Sequence, residues 1–167
     1  MRSFYYFCKN YKLIIMEEPV FNSHDKAEYP PMHTAEHLLN ATMVALTGCA
    51  RSEKNHIERT KSKCDYHLDA PLTQEQIAEI ERRVNEVISA DIPVEYLYMN
   101  QAEAAERFNL SRLPDDASDL LRIVVIGDYD ACPCIGAHVK STGEIGRFRI
   151  TSTRYADGWQ RIVFRLS

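Results

Sequence analysis

The sequence predicts a single domain of the α+β class. Its 167 residues are about the length of one domain, and a chain of that length buries roughly two thirds of the surface that its unfolded form exposes. Two segments carry apolar residues at helical spacing, and several others carry the alternating or β-branched runs that are typical of strands. No repeat, low-complexity tract or linker rich in Pro, Gly or Ser divides the chain, so one domain is the simplest interpretation.

Two helices are well specified by local signals. The first, at about residues 32–47, follows the pair Pro30–Pro31, which suits the first turn of a helix, and it ends at Gly48. The second follows Thr73, which is predicted to cap it together with Gln76 in a capping box. Its apolar residues recur at helical spacing: Ile77, Ile80, Val84, Val87 and Ile88.

The remaining elements are predicted from shorter patterns. "PVEYLYM" alternates like a strand, and "NQAEAAERF" is typical of a short helix. "LLRIVVIGD" is rich enough in β-branched residues to be a buried strand. "GRFRITSTRYADGWQRIVFRLS" indicates two strands joined by a turn at Ala156-Asp157-Gly158.

Composition excludes several classes of protein. No run approaches the roughly 20 apolar residues that are needed to cross a bilayer, so no membrane span is expected. The five cysteines are odd in number and scattered, which does not indicate a disulfide framework and favours a reducing, cytoplasmic location. Residues 1–29 are predicted to be an N-terminal extension, with Met16 as an alternative start, ahead of a domain at residues 30–167.

Two pairs of residues have the spacing of metal ligands. His33 and His37 are four residues apart on the first predicted helix, so they project from the same face of that helix. Cys134 and His138 are four apart in "CIGAH", on an expected loop after the strand "RIVVIGD". Three imidazoles and one thiolate are a ligand set that zinc prefers, in tetrahedral geometry. We therefore predict one zinc ion.

These motifs and the order of the segments between them resemble a known family. "HTAEHLL" and "CIGAHVKSTGEIGRFRI", with "LTQEQIAEIERRVNEVI" and "RIVVIGDYDACPC" between them, resemble the editing domain of alanyl-tRNA synthetases and the free-standing alanyl-tRNA editing proteins of the AlaX type. The editing domain of threonyl-tRNA synthetases is a more distant likeness. The resemblance covers about residues 30–165.

The resemblance implies a fold, a site and an activity. The fold is a two-layer, single α+β domain of the threonyl/alanyl-tRNA synthetase editing type. The zinc ligands are His33, His37, Cys134 and His138. The activity is that of a zinc-dependent trans-editing deacylase, which hydrolyses the ester between serine or glycine and alanine tRNA. The implied partner is mischarged tRNA, with alanine tRNA favoured, and no membrane is expected as a partner.

The second motif also departs from the family pattern. The family usually has Cys-Gly-Gly-Thr-His, whereas this chain has Ile135 and Ala137 in place of the first glycine and the threonine. Cys132 offers a second thiolate that competes as a ligand, although Pro133 makes double ligation awkward. We favour Cys134 because its spacing to His138 is the one that the family uses.

Other residues are predicted to support the reaction. Thr34 is the candidate for contact with the substrate hydroxyl, against the alternative of capping backbone amides at the start of the helix. Asp128 and Asp130 are candidates for orienting a ligand histidine. The net charge is −4, yet basic residues are concentrated in two stretches, where contacts with tRNA phosphates are predicted. The candidates are Arg51, Lys54, Arg59, Lys61, Lys63, Lys140, Arg147 and Arg149.

Two other functions fit parts of the sequence. "HTAEH" also matches the H-x-x-E-H pattern of a metalloprotease, in which Glu36 would be the general base; otherwise Glu36 is expected to face solvent. The protease interpretation leaves Cys134 and His138 without a role. The third interpretation is a zinc-stabilised module that binds aminoacyl-tRNA or another protein without turnover.

Overall fold

The computed structural model describes residues 29–110 and 117–167, so the predicted extension and Met16 lie outside the described residues apart from Tyr29. The described chain contains three α-helices, seven strands and one short 3₁₀ turn. They are α1 (Pro30–Thr47), β1 (Lys54–His56), β2 (Ser62–His67), α2 (Gln74–Ser89), β3 (Val94–Asn100), α3 (Gln101–Ala105), β4 (Leu120–Ile126), β5 (Asp130–Pro133), the 3₁₀ turn (Thr142–Ile145), β6 (Phe148–Ala156) and β7 (Trp159–Leu166).

The strands form two antiparallel sheets. The larger sheet has the order β1-β2-β7-β6, and the smaller has the order β3-β4-β5. One apolar core joins α1 and α2 to the inner face of the larger sheet, with Tyr66, Phe148 and Phe164 among its largest buried side chains. A second, smaller core cluster lies between α3 and β4. The predicted α+β class is confirmed.

Helix α1 is the element that carries the site. Its first turn contains the predicted prolines, and Gly48 ends it in the left-handed region at φ 71°, with its N–H bonded to the carbonyl of Val44. Every residue from Met32 to Asn40 is buried. A helix buried on all sides must satisfy its polar side chains internally, because water cannot reach them.

The other helical and hairpin predictions also match the structure. The Thr73 side chain accepts a bond from the backbone N–H of Gln76, and the Gln76 side chain accepts one from the N–H of Thr73, which completes the capping box. Between β6 and β7, Asp157 and Gly158 both have positive φ, at 52° and 78°. Two such residues in succession form the tight hairpin turn that suits the twist of the paired strands.

Three strands were not anticipated. The segment after β4 was expected to be a loop, but residues Asp130–Pro133 form β5 and pair with β4. Strands β1 and β2 also form between Lys54 and His67, where no strand was predicted. Among the described residues, no helix is both long enough and apolar enough to cross a membrane.

Candidate metal centre

The four predicted ligands meet at one place. His33 and His37 project from one face of α1, Cys134 directly follows β5, and His138 lies four residues further along. One donor atom from each residue lies within 4.8 Å of the others. The β4–β5 hairpin brings Cys134 to the helix, because the backbone N–H of Cys134 continues the ladder to the carbonyl of Arg122 at 3.0 Å.

The distances between donor atoms fit zinc. The Cys134 Sγ lies 3.5 Å from the Nε2 of His33 and 3.5 Å from the Nε2 of His138. When a tetrahedral ion has bonds of roughly 2.3 Å to sulfur and roughly 2.05 Å to nitrogen, the sulfur and the nitrogen lie about 3.6 Å apart. Zinc therefore fits between these residues without rearrangement of the three donors.

The Nδ1 atoms of the three histidines are held by three different partners. In His33, Nδ1 lies 3.1 Å from the carbonyl oxygen of Ala137. In His138, Nδ1 lies 3.1 Å from the hydroxyl of Thr34, and in His37 it lies 3.2 Å from a carboxylate oxygen of Asp130. When Nδ1 donates its proton to such a partner, Nε2 keeps the lone pair. With the proton on Nδ1, each of the three imidazoles would present Nε2 to a metal.

Thr34 is fully buried, and its hydroxyl is used within the protein. The hydroxyl donates to the carbonyl of Pro30 at 2.9 Å and accepts from the backbone N–H of Val139 at 3.2 Å. With His138 Nδ1 as a further donor, the single hydrogen and both lone pairs have partners. The predicted contact with a substrate hydroxyl would require Thr34 to give up one of these bonds.

Asp130 orients His37 and is itself held by Arg51. The Arg51 guanidinium donates to both carboxylate oxygens, at 2.6 and 3.2 Å. Burial alone raises the pKa of Asp130, but His37 and Arg51 hold it below its usual value. Asp128 is exposed on the turn between β4 and β5, so the structure brings only one of the two predicted carboxylates to the centre.

The protonation states of Cys134 and His138 suit metal binding. Burial alone would raise the pKa of the Cys134 thiol. Hydrogen bonds from His138, His33 and His37 outweigh that effect and lower the pKa to about 2. Burial, together with the neighbouring histidines, lowers the pKa of His138 to about 4. A thiolate and a neutral imidazole are the forms that zinc binds.

His37 has the opposite shift. Burial alone would lower its pKa, but the adjacent Cys132 and Asp130 raise the pKa of His37 well above the usual value. A proton therefore competes with a metal ion for the Nε2 of His37.

Arg122 holds the loop that carries Cys134, a role that the sequence analysis missed. Its Nε donates to the carbonyl of Cys134 at 2.8 Å, and its guanidinium also donates to the carbonyl of Gly136. The guanidinium lies over the Tyr96 ring, 4.6 Å from the centroid. A single arginine within the apolar stretch "LLRIVVI" was the available signal.

Glu36 is buried beside the centre, which corrects the expectation that it faces solvent. Only 6% of the residue is exposed. Its Oε1 accepts hydrogen bonds from the side-chain amides of Asn40 and Asn55, and its Oε2 lies 3.9 Å from the Nε2 of His37. The sequence analysis did not connect Asn40 and Asn55 with the site.

Comparison with known proteins relates this chain to the alanine–tRNA ligases. A model of the threonyl and alanyl tRNA synthetase second additional domain matches residues 121–163, which include Cys134 and His138. The alanine–tRNA ligase of Idiomarina loihiensis is 37% identical over 132 residues, or 78% of this chain and 15% of the relative. The ligase of Bacillus subtilis is 35% identical over 121 residues, or 72% of this chain and 14% of the relative. The ligase of Treponema denticola is 34% identical over 119 residues, or 71% of this chain and 20% of the relative.

The chain is related to one region of the alanine–tRNA ligases, and part of it matches the threonyl and alanyl tRNA synthetase second additional domain. It spans 15% of the length of the Idiomarina loihiensis ligase, so the likeness concerns one region of those larger enzymes. The first ligand pair on α1 lies before the segment that the domain model matches, and the second pair lies inside it.

Cys132 lies at the edge of the candidate metal centre. Its Sγ is 3.4 Å from the Nδ1 of His37 and 4.0 Å from its Nε2. With His37 and Asp130 it forms a second group of donor atoms. The Arg51 guanidinium already occupies both oxygens of Asp130, and its positive charge disfavours a cation there.

Several predicted phosphate contacts lie on the outer face of the larger sheet. Side chains alternate between the faces of a strand, and the neighbours Asn55, Cys64 and Phe148 point inward. The outer face therefore carries Lys54, Lys63, Arg149, Arg154, Arg161 and Arg165. We call this set the basic face.

The other predicted cations lie around that face or elsewhere. Arg59 and Lys61 are exposed in the turn between β1 and β2, and Lys140 and Arg147 are exposed on either side of the 3₁₀ turn. Arg51 differs from all of these because its guanidinium is bound to Asp130. The structure therefore places Arg51 with the metal centre.

Proposed function

We propose that this editing-type domain is a zinc-dependent deacylase that removes serine or glycine from mischarged alanine tRNA. The observation that carries the proposal is the centre of three histidines and one thiolate, in which each histidine has its Nδ1 held by a separate partner. The relationship to the alanine–tRNA ligases supports tRNA as the partner.

The residues of the chain divide the chemical work. His33, His37, Cys134 and His138 would hold the zinc, which supplies Lewis-acid activation of water or of the ester carbonyl. Thr34, Asp130 and the loop carbonyl of Ala137 keep the imidazoles in place. Burial of the centre strengthens these electrostatic interactions, because little water screens them.

Selectivity between serine and alanine requires polar groups that only serine satisfies. A site that bonds the serine hydroxyl leaves its own groups unpaired when alanine enters, and this penalty can reach several powers of ten. Thr34 stays our candidate for that contact, by exchange of one of its internal bonds for the substrate hydroxyl.

Strand β1 connects the basic face to the metal centre. Lys54 points outward and lies over the Trp159 ring at 4.2 Å, while its neighbour Asn55 points inward to Glu36. A tRNA whose phosphates contact the basic face would therefore pass over the β1 edge as its 3′ end enters the site. Phosphate contacts of this kind supply affinity without sequence specificity.

The test is hydrolysis of defined aminoacyl esters by the zinc-loaded protein. Alanine tRNA carrying serine, glycine or alanine, and threonine tRNA carrying serine, would each be incubated with the wild type. His37→Ala removes one metal ligand, and His56→Ala, an exposed histidine on β1, is the matched control. We expect rapid loss of serine or glycine with alanine spared, abolished only in His37→Ala. Intact esters throughout would contradict the proposal and favour a zinc-containing binding module.

A further inference from the structure

Among the residues that the structure describes, the hydrogen bonds to the Glu36 side chain reach only one of its two carboxylate oxygens. Both of its amide donors, the Nδ2 atoms of Asn40 and Asn55, reach the same oxygen, Oε1. The helix around Glu36 is buried, so little water can reach the other oxygen, Oε2, and donate a hydrogen bond to it. A carboxylate held in this way is fixed in orientation while Oε2 stays available to a ligand.

A second acceptor belongs to one of the two residues that donate to Glu36. The Asn55 amide that donates to Glu36 has its own Oδ1 buried, and that atom has no hydrogen-bond partner among the described residues. Glu36 Oε2 lies 3.9 Å from the Nε2 of His37, the nitrogen that would face the ion. A buried acceptor without a donor is unfavourable, so this corner of the site is suited to a ligand that brings several N–H donors.

The charge of Glu36 also calls for a cation. The Arg51 guanidinium interacts electrostatically with Glu36, but its hydrogen bonds go to Asp130. Asn40 and Asn55 are neutral, so the hydrogen-bonding partners of Glu36 do not neutralise its charge. The two cationic groups near it, Arg51 and His37, are both paired with Asp130. A small cationic group with three N–H donors matches one carboxylate oxygen and one amide oxygen.

We infer that Glu36 and Asn55 form a subsite that binds the α-ammonium group of the aminoacyl ester next to the metal centre. The inference rests on the proposed deacylase function and names its substrate class: esters of amino acids with a free α-amino group. No bond forms or breaks at this subsite, since the contact is an ion pair with hydrogen bonds. Esters of N-acylated amino acids lack the ammonium and are therefore poor substrates.

Two esters, tested with matched variants, distinguish binding of the α-ammonium group from other roles of Glu36. The rates of hydrolysis of seryl and N-acetylseryl esters of alanine tRNA would be measured for three proteins: the wild type, Glu36→Gln and the exposed control Glu144→Gln. The wild type and Glu144→Gln should prefer the free amine by roughly 10- to 100-fold, the size of one charge-assisted contact. In Glu36→Gln that preference should fall to within about 3-fold, with the rate on the N-acetyl ester retained.

Equal losses on both esters in Glu36→Gln would overturn the inference, because a general base acts on either ester. Loss of zinc from Glu36→Gln would also overturn it and would make the carboxylate part of the metal centre. Asn55→Ala provides a second variant that should reduce the preference in the same direction, and circular dichroism checks that each variant is folded.

A binding measurement makes the inference independent of turnover. Calorimetry with L-serinamide and N-acetyl-L-serinamide should show binding of the free amine alone to the zinc-loaded wild type, and roughly 10-fold or greater weakening in Glu36→Gln. If the wild type binds serinamide through Glu36 but hydrolyses no ester, the proposed function fails and the subsite stands. If it hydrolyses both esters equally, the function stands and the subsite fails.

Discussion

At the scale of single residues, the candidate metal centre depends on groups that would not touch a bound ion. The hydroxyl of Thr34, the carbonyl of Ala137 and the carboxylate of Asp130 each hold one Nδ1. These partners fix both the tautomer and the direction of each Nε2. Groups that orient ligands in this way contribute measurably to metal affinity.

Asp130→Asn tests this orientation directly. The substitution keeps the shape of the side chain but removes the charge that holds the Nδ1 proton of His37 and pairs with Arg51. We expect zinc affinity to fall about 10- to 100-fold, measured by competition with a chromophoric chelator. Asp128→Asn, on the exposed turn, should leave zinc affinity unchanged. Equal effects of the two substitutions would show that the position of Asp130 is unimportant.

A residue of the site could be predicted when its partner lies a few residues away in the sequence. The pairs His33/His37 and Cys134/His138 were predictable because four-residue spacing on a helix or in a tight loop is a local property. Asn55 was not, because its approach to Glu36 requires strand β1 to pair with β2 at the sheet edge. Contacts made by the tertiary fold leave no local pattern in the sequence.

At the scale of elements, locally coded pieces were predictable and pieces stabilised by pairing were not. Helix α2 has its capping box, and the β6–β7 hairpin has its turn at Asp157 and Gly158, so both are specified within a few residues. Strands β1 and β5 have three and four residues, and they exist because β2 and β4 supply their hydrogen bonds. Neither is long enough to show a period of two.

Arg122 links the β4–β5 hairpin to the metal-binding loop. Its planar guanidinium donates to the carbonyls of Cys134 and Gly136, a geometry that a lysine ammonium cannot reproduce. We expect Arg122→Lys to lower zinc affinity about 10-fold and to speed amide hydrogen exchange from Cys134 to His138. Arg107→Lys, an exposed arginine after α3, is the control. Unchanged exchange in Arg122→Lys would show that the loop is held by other contacts.

The ion pair between β2 and β7 gives stability a pH dependence. Arg161 donates to both oxygens of Asp65 at 2.7 Å, and these bonds lower the pKa of Asp65 below its usual value of 3.8. A carboxylate whose pKa is lower in the folded than in the unfolded protein stabilises the fold at pH values above its unfolded pKa. That stability is lost as the pH falls through its folded pKa. Solvent around Arg161 weakens the pair.

Asp65→Asn should therefore lower the free energy of unfolding by about 1 kcal/mol or less at pH 7. The difference from the wild type should shrink as the pH falls below 3.8, because the wild-type carboxylate then becomes protonated. Urea unfolding at several pH values measures both. The exposed Asp69→Asn is the control, and a difference that stays constant down to low pH would contradict the expectation.

At the scale of the whole molecule, a chain of net charge −4 still presents a cationic surface. The outer side of the larger sheet gathers Lys54, Lys63, Arg149, Arg154, Arg161 and Arg165, drawn from four strands. The sequence indicated two basic stretches. Their arrangement as one face follows from the sheet order β1-β2-β7-β6, which pairs elements about a hundred residues apart.

Binding of tRNA should therefore depend steeply on salt. Each phosphate neutralised by a cation contributes about 0.7 to 0.9 to the slope of log K against log salt concentration. Arg165→Gln should reduce that slope by about 1, measured by fluorescence anisotropy between roughly 50 and 200 mM salt. Arg82→Gln, on the exposed face of α2, is the control. An unchanged slope in Arg165→Gln would place the tRNA on another surface.

The most direct test of the account is to titrate zinc into metal-stripped protein while following the loss of serine from alanine tRNA. The rate should rise with zinc and saturate at one ion per chain. Cys132→Ser should behave like the wild type, and Cys134→Ser should stay inactive. A rate that is independent of zinc, or activity retained in Cys134→Ser, would contradict the proposed function.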